Sequence, residues 1–242
     1  MRLDHATWGE VEEYLARRRA VFLPVGSTEQ HGPMGLIGTD AICAKAVAIG
    51  AGDLSETYVA PVLAYTPAAF NMQFAGTVSV SEACFRTLFT EVTQSLQAHG
   101  FDRIYVVNGH GANLAPMRLA AEFRPEIRIR SWWDFEPVNI LRDQYYGDWE
   151  GMHATPSEVA ITQALVRCID PGQAIEPPRA LSSDERAARA GDRHGSALRH
   201  KAEFPDGRVG SHSALARPEH GRALLKAAVE AVAADLIAFE AE

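Results

Sequence analysis

Six side chains in this sequence have the types and spacings needed to hold metal ions and move a proton. In Gly26-Ser27-Thr28-Glu29-Gln30-His31-Gly32-Pro33, Glu29 and His31 stand two residues apart, so in an extended segment a carboxylate and an imidazole face the same side. Asp40 follows at the start of a helix capped by Thr39, where free N–H groups stabilise a carboxylate and fix its orientation. From there it is placed to bridge two ions. In Asn108-Gly109-His110-Gly111-Ala112-Asn113, His110 lies between glycines that let the backbone fold tightly beneath the imidazole. His153 and Glu158 flank a helix start in His153-Ala154-Thr155-Pro156-Ser157-Glu158.

Singly, each residue has a plainer role. Asp40 and Glu158 suit a helix's first turn, with Ser157 near the cap of the second, and His110 suits a loop histidine bonded to backbone. Together, two histidines and three carboxylates form the mixed nitrogen and oxygen set that binds zinc, manganese or iron(II). Two such ions polarise an amide carbonyl and lower the pKa of water. His153 is then the candidate proton donor to the leaving amine, because an imidazole titrates near neutral pH. Trp149, four residues before His153, is the expected indole wall of the pocket; Trp132 and Trp133 end a strand and suit core packing as well.

Strand and helix alternate along the chain and must bring these residues together. Thr7 and Glu10 make a capping box before a helix over 8–19; 20–25 is an apolar run suited to a strand buried on both faces. The pattern predicts a helix over 39–52, a strand over 57–63, and a helix from a Ser79/Glu82 capping box to Gly100. It continues with a strand over 103–107, a helix over 113–123, a strand over 127–133, an irregular stretch that includes Trp149, and helices over 157–169 and 218–239. This is an α/β chain with a mostly parallel sheet between helical layers, whose sites gather where the strands end. The loops after Val25, Val107 and Trp133 should share one rim.

A chain of 242 residues, 47% hydrophobic, suits a single domain over 1–242. Its net charge of −8 and the scatter of its 23 Lys and Arg argue against nucleic acid as a partner. Cys43, Cys84 and Cys168 stand apart within apolar helical patterns, as small core residues in a reducing cytoplasm. Met1 to Glu10 is polar and no apolar run is long enough to cross a bilayer, so neither a signal peptide nor a membrane partner is expected. His194, His200, His212 and His220 read as surface residues. The segment 204–212 reads as an ordered loop over the site or a subunit contact, within a charge-, Gly- and Pro-rich stretch over 171–217.

At Leu23-Pro24-Val25-Gly26-Ser27-Thr28-Glu29-Gln30-His31-Gly32-Pro33, Gly38-Thr39-Asp40 and Asn108-Gly109-His110-Gly111, the chain resembles the creatininase, or creatinine amidohydrolase, family. Phe74-Ala75-Gly76-Thr77 and the His153 to Glu158 element extend the likeness. The resemblance implies a three-layer α/β/α sandwich, two divalent ions per subunit, hydrolysis of a small-molecule amide at a C–N bond other than a peptide bond, and a homo-oligomer, often a hexamer. By motif, Glu29 and His110 would bind one ion, His31 the other and Asp40 both, with His153 in acid/base catalysis. Creatininase has a Glu where this chain has Ala112, so Glu158 must complete the second site. Met34 and Asn71 stand where many members have His, which implies a different substrate pocket, and Thr155 replaces a usual Gly. Relatives of this type range from creatinine hydrolases through formamide deformylases to enzymes that remove a peptide piece in cofactor maturation. A formamide deformylase is the alternative reading, and a non-catalytic binding protein on the same fold is a third.

Overall fold

The computed structural model describes residues 1–191 and 193–242. The central strand β1 (Ala20–Val25) is buried along its whole length, as its unbroken apolar run requires of a strand covered on both faces. It pairs in parallel with β2 (Tyr58–Val59) on one side and β3 (Arg103–Asn108) on the other, and β3 pairs in parallel with β4 (Ile127–Ser131). Among the described residues these strands form one four-stranded sheet in the order β2-β1-β3-β4. All strands run the same way, so they end at one edge, and register places Val25 opposite Asn108 and Asn108 opposite Ser131.

Side chains alternate between the sheet's two faces. Ala20, Phe22, Tyr105 and Val107 pack under α2 (Thr39–Leu54), α5 (Glu136–Tyr146), α6 (Pro156–Leu165) and α9 (Pro218–Glu240). Val21, Leu23, Val25, Ile104 and Val106 pack under α1 (Trp8–Leu15), α3 (Glu82–Ala98) and α4 (Leu114–Ala120). The expected three-layer α/β/α sandwich results. No described helix is long and apolar enough to cross a membrane.

Several boundaries differ from the expected ones. The first helix stops at Leu15, short of the basic run at Arg17–Arg19, while its Thr7–Glu10 capping box forms as expected. The N-cap of α2 is Gly38, and Thr39 is the first helical residue, its hydroxyl donating to the Leu36 carbonyl at 2.7 Å. The N-cap of α3 is Ser81, accepting from Cys84 N, because Ser79 is engaged by Ala68 N at 2.8 Å. The strand expected over 57–63 shrinks to two residues and a single bridge from Val25 to Leu63. Phe123 adopts a left-handed φ of 64° outside the helix expected to contain it. The stretch read as irregular contains α5, and the region 171–217 contains α7 (Ser183–Arg189) and α8 (Ala197–Glu203). Only Cys43 is a core thiol; Cys84 and Cys168 are exposed.

Candidate metal centre

Two glycines at the sheet edge let Asp40 reach the site. A Cβ on Gly26, after β1, would lie 2.3 Å from the Ala41 nitrogen, and one on Gly109, after β3, 2.3 Å from the Asp40 carbonyl oxygen. Only hydrogen fits there, so the first turn of α2 presses against the ends of both central strands. Asp40 is thereby buried between the two loops. It accepts from Ser27 Oγ at 2.7 Å, and lies 2.9 Å from His31 Nε2 and 3.1 Å from His110 Nδ1.

The loop after β1 supplies Glu29 and His31, both buried, and Glu29 Oε1 stands 3.2 Å from His110 Nδ1. Glu158 comes from the start of α6, where Thr155 and Glu158 form a capping box, and its Oε1 lies 3.8 Å from His31 Nε2. Thr155, not Ser157, is the cap; Ser157 donates instead to Glu150. Glu158 is thus both a helix-capping carboxylate and a member of the cluster.

The outer ring nitrogens fix which nitrogens face inward. His31 Nδ1 lies 3.1 Å from the Glu29 carbonyl and His110 Nε2 lies 2.7 Å from the Pro67 carbonyl. A carbonyl only accepts, so these nitrogens carry protons, and His31 Nε2 and His110 Nδ1 turn toward the carboxylates. That is the second-layer arrangement of metal-binding imidazoles. The ligand atoms form two compact groups, Glu29–Asp40–His110 and His31–Asp40–Glu158, that share Asp40. A third group joins Glu29, His31 and His153.

Metal-free, the cluster must hold protons where cations would sit. Burial pushes His31 and His110 down, but the facing carboxylates outweigh it: Asp40 and Glu158 raise His31 to about 10, and Glu29 and Asp40 hold His110 well above its ordinary value. Burial opposes ionisation of Asp40 too, yet the imidazoles hold it well below the carboxylate range. Burial raises Glu158 to about 8 against the attraction of His31, and also raises Glu29. The donor set fits divalent ions, and Glu29 Oε1 is buried without a hydrogen bond among the described residues.

His153 lies beside the cluster. Its Nδ1 is 3.8 Å from Glu29 Oε1, and its Nε2 is 2.9 Å from the Gln30 carbonyl. The side-chain nitrogens of Gln30 and Asn71 also approach Nε2, but both have other acceptors, namely Asn71 Oδ1 and Gly207 O for Gln30 and Glu29 Oε2 for Asn71. The next residue, Ala154, has a left-handed φ of 58°, a strained state for a non-glycine residue beside the site. The backbone of Met152 and His153 pairs with Val209, so the 204–212 segment buttresses the site from within the subunit.

A cavity of about 250 Å³ opens over the cluster, lined by His31, Asp40, His110, His153 and Glu158 together with Trp132, Trp133, Arg142 and Met152. Trp149, Met34 and Asn71, expected to shape the pocket, are not among its lining residues. Trp149 packs edge-on to His212; Met34 belongs to a core cluster with Val159 and Ala160; Asn71 is fully buried behind Glu29. His194 and His200, expected at the surface, are buried, with ring centroids 4.6 Å and 5.1 Å from that of Phe70, which itself packs on His153. His212 and His220 are half-buried. Trp132 and Trp133, for which the sequence left pocket wall and core packing open, both line the cavity, while Gln30 and Arg142 carry no role in the sequence reading. Gln30 lies inside the Glu29–His31 motif, a signal that was available, whereas Arg142 lies on a helix that was not foreseen.

Fold and cluster define a class: an α/β/α protein with a buried centre of shared carboxylates and imidazoles at its parallel strand ends. A family model described as Creatininase: Creatinine amidohydrolase matches residues 4–236, and the chain belongs to that hydrolase family. A mycofactocin precursor peptide peptidase of Mycolicibacterium smegmatis is 40% identical over 157 residues, which span 60% of this chain and 62% of that protein. A creatinine amidohydrolase of Pseudomonas putida is 26% identical over 200 residues, 71% of this chain and 77% of that protein. A solved structure titled Creatininase Mn shares the fold, with a TM-score of 0.75 at 23% identity over 97% of this chain and 96% of that one.

Proposed function

We propose that this protein hydrolyses an amide C–N bond with two divalent ions, one held by Glu29, Asp40 and His110 and the other by His31, Asp40 and Glu158. One observation carries the reading: two buried three-ligand groups share one carboxylate on the floor of a cavity. When bound, such ions supply Lewis acidity and make water acidic enough to attack a carbonyl near neutral pH. The protein's own part is to orient and to move protons. Ser27 fixes Asp40, Asn71 fixes Glu29, and the backbone carbonyls of Glu29 and Pro67 fix the two imidazoles. His153 donates its Nε2 proton to the Gln30 carbonyl, which leaves Nδ1 facing the cluster to carry a proton to the leaving amine. Trp132 and Trp133 screen the cavity from water.

For the substrate, a small non-peptide amide of the creatinine type is the first reading, supported by the family and the size of the cavity. A peptide C–N bond is the second, favoured by the likeness to the M. smegmatis peptidase. The test is to strip the protein with chelator, reload it separately with zinc, manganese and iron(II), and assay creatinine, lactams, N-formyl amines and short peptides. Metal-restored turnover of one class identifies the substrate. A fully loaded sample inert on every class would leave a binding protein on this fold.

A further inference from the structure

We propose that Arg142 recognises an anion and that the amide substrate carries a carboxylate close to its scissile bond; this rests on the hydrolase reading above. Arg142, on α5, is the one Lys or Arg among the described residues lining the cavity, which Asp40 and Glu158 also line. Its guanidinium is clamped: Nε donates to Glu150 Oε1 at 3.0 Å and Nη1 to Asn139 Oδ1 at 2.8 Å. Both clamps are themselves held. Asn139 donates to the Trp133 carbonyl at 2.9 Å, and Glu150 Oε1 also accepts from Ser157, the neighbour of Glu158.

Nη2 has no acceptor among the described residues, and Nη1 uses only one of its two N–H groups. Three N–H groups, two on Nη2 and one on Nη1, are left over for a carboxylate. A long side chain fixed by two acceptors and still left with unused donors does more than neutralise Glu150, since a lone partly exposed ion pair returns little for the rotamer freedom it removes. Arg142 lines the same cavity of about 250 Å³ as the cluster, so an anion held there shares that cavity with the scissile bond. The substrate class is an N-acyl amino acid or the C-terminal end of a peptide.

The test uses metal-loaded protein and matched probes, namely N-formyl amino acids, N-acetyl amino acids and dipeptides, each as free acid and as carboxamide. The free acid should exceed its carboxamide by about 10- to 100-fold in kcat/KM, chiefly through KM, as expected of charge-assisted hydrogen bonds. Arg142→Gln should erase that preference by lowering free-acid kcat/KM about 10- to 100-fold relative to the carboxamide, with metal content measured alongside. Arg142→Lys, which keeps charge but not the guanidinium, should retain only part of it and serves if the Gln variant fails to fold. Equal turnover of acid and carboxamide by the wild type, or a preference that survives in Arg142→Gln, overturns this inference and leaves the hydrolase reading standing. No turnover of these probes by protein that hydrolyses creatinine or a lactam overturns this inference alone, and no turnover of those amides as well takes down both.

Discussion

Chelating the metal should make this protein sensitive to alkali, and reloading it should remove that sensitivity. Without metal, His31 is buried against Asp40 and Glu158, which raise it to about 10 against the opposing effect of burial. A histidine with a folded pKa above its unfolded value contributes stability that is fully present below about pH 6.5 and lost as the pH rises toward 10. At about 1.4 kcal/mol per pH unit, His31 alone forfeits roughly 2 kcal/mol by pH 8 and roughly 5 kcal/mol by pH 10. The loss by pH 8 corresponds to about 4–8 °C in Tm for a chain of this size. His110 adds to it with the same sign. So does Glu158, a carboxyl raised to about 8, whose contribution falls from its unfolded value up to about pH 8 and not beyond. Asp40 is depressed and contributes on the acid side, outside this window. With metal bound, both imidazoles are neutral ligands and no proton is left to lose. Calorimetric scans of chelator-treated and zinc-loaded protein between pH 6.5 and 9 measure this. A metal-free Tm that stays flat over that range, or one that falls equally with zinc present, refutes the reasoning.

Asp40→Asn should cost both ions at once, because both ligand groups share this carboxylate; elemental analysis should find metal per chain falling toward zero, where loss of one ion alone would end the bridging role. His153→Ala should keep metal and lose about 10²- to 10⁴-fold in kcat, the usual worth of a proton carrier. If metal falls with activity, His153 belongs instead to the third ligand group, with Glu29 and His31. Gly109→Ala should destabilise by about 2 kcal/mol or more by driving a methyl group into the Asp40 backbone and should weaken metal binding with no ligand removed; unchanged chemical denaturation would contradict the packing argument.

The α/β alternation, the position of β1 and the identity of the five cluster residues were legible because they are local. A strand buried on both faces needs a continuous apolar run, and ligand residues cluster in short motifs at its end. Helix α5 was not legible in the same way: its run from Glu136 to Tyr146 is polar on average and opens with Pro137 in its first turn, although it packs Val138 and Tyr146 into the core. His194 and His200 were read as surface residues because nothing in a charged, glycine-rich stretch signals that it will fold back onto Phe70.

By itself the sequence determined which side chains hold the centre, since donor type and two-residue or capping-box spacing are properties of neighbouring residues. Only tertiary structure decided which residues line the cavity. Trp132, Trp133 and Arg142 are set there by the end of β4 and the packing of α5, while Trp149 was turned onto His212. Such choices depend on side-chain directions summed over the whole fold, and one strand or helix does not encode the angle at which it meets the next.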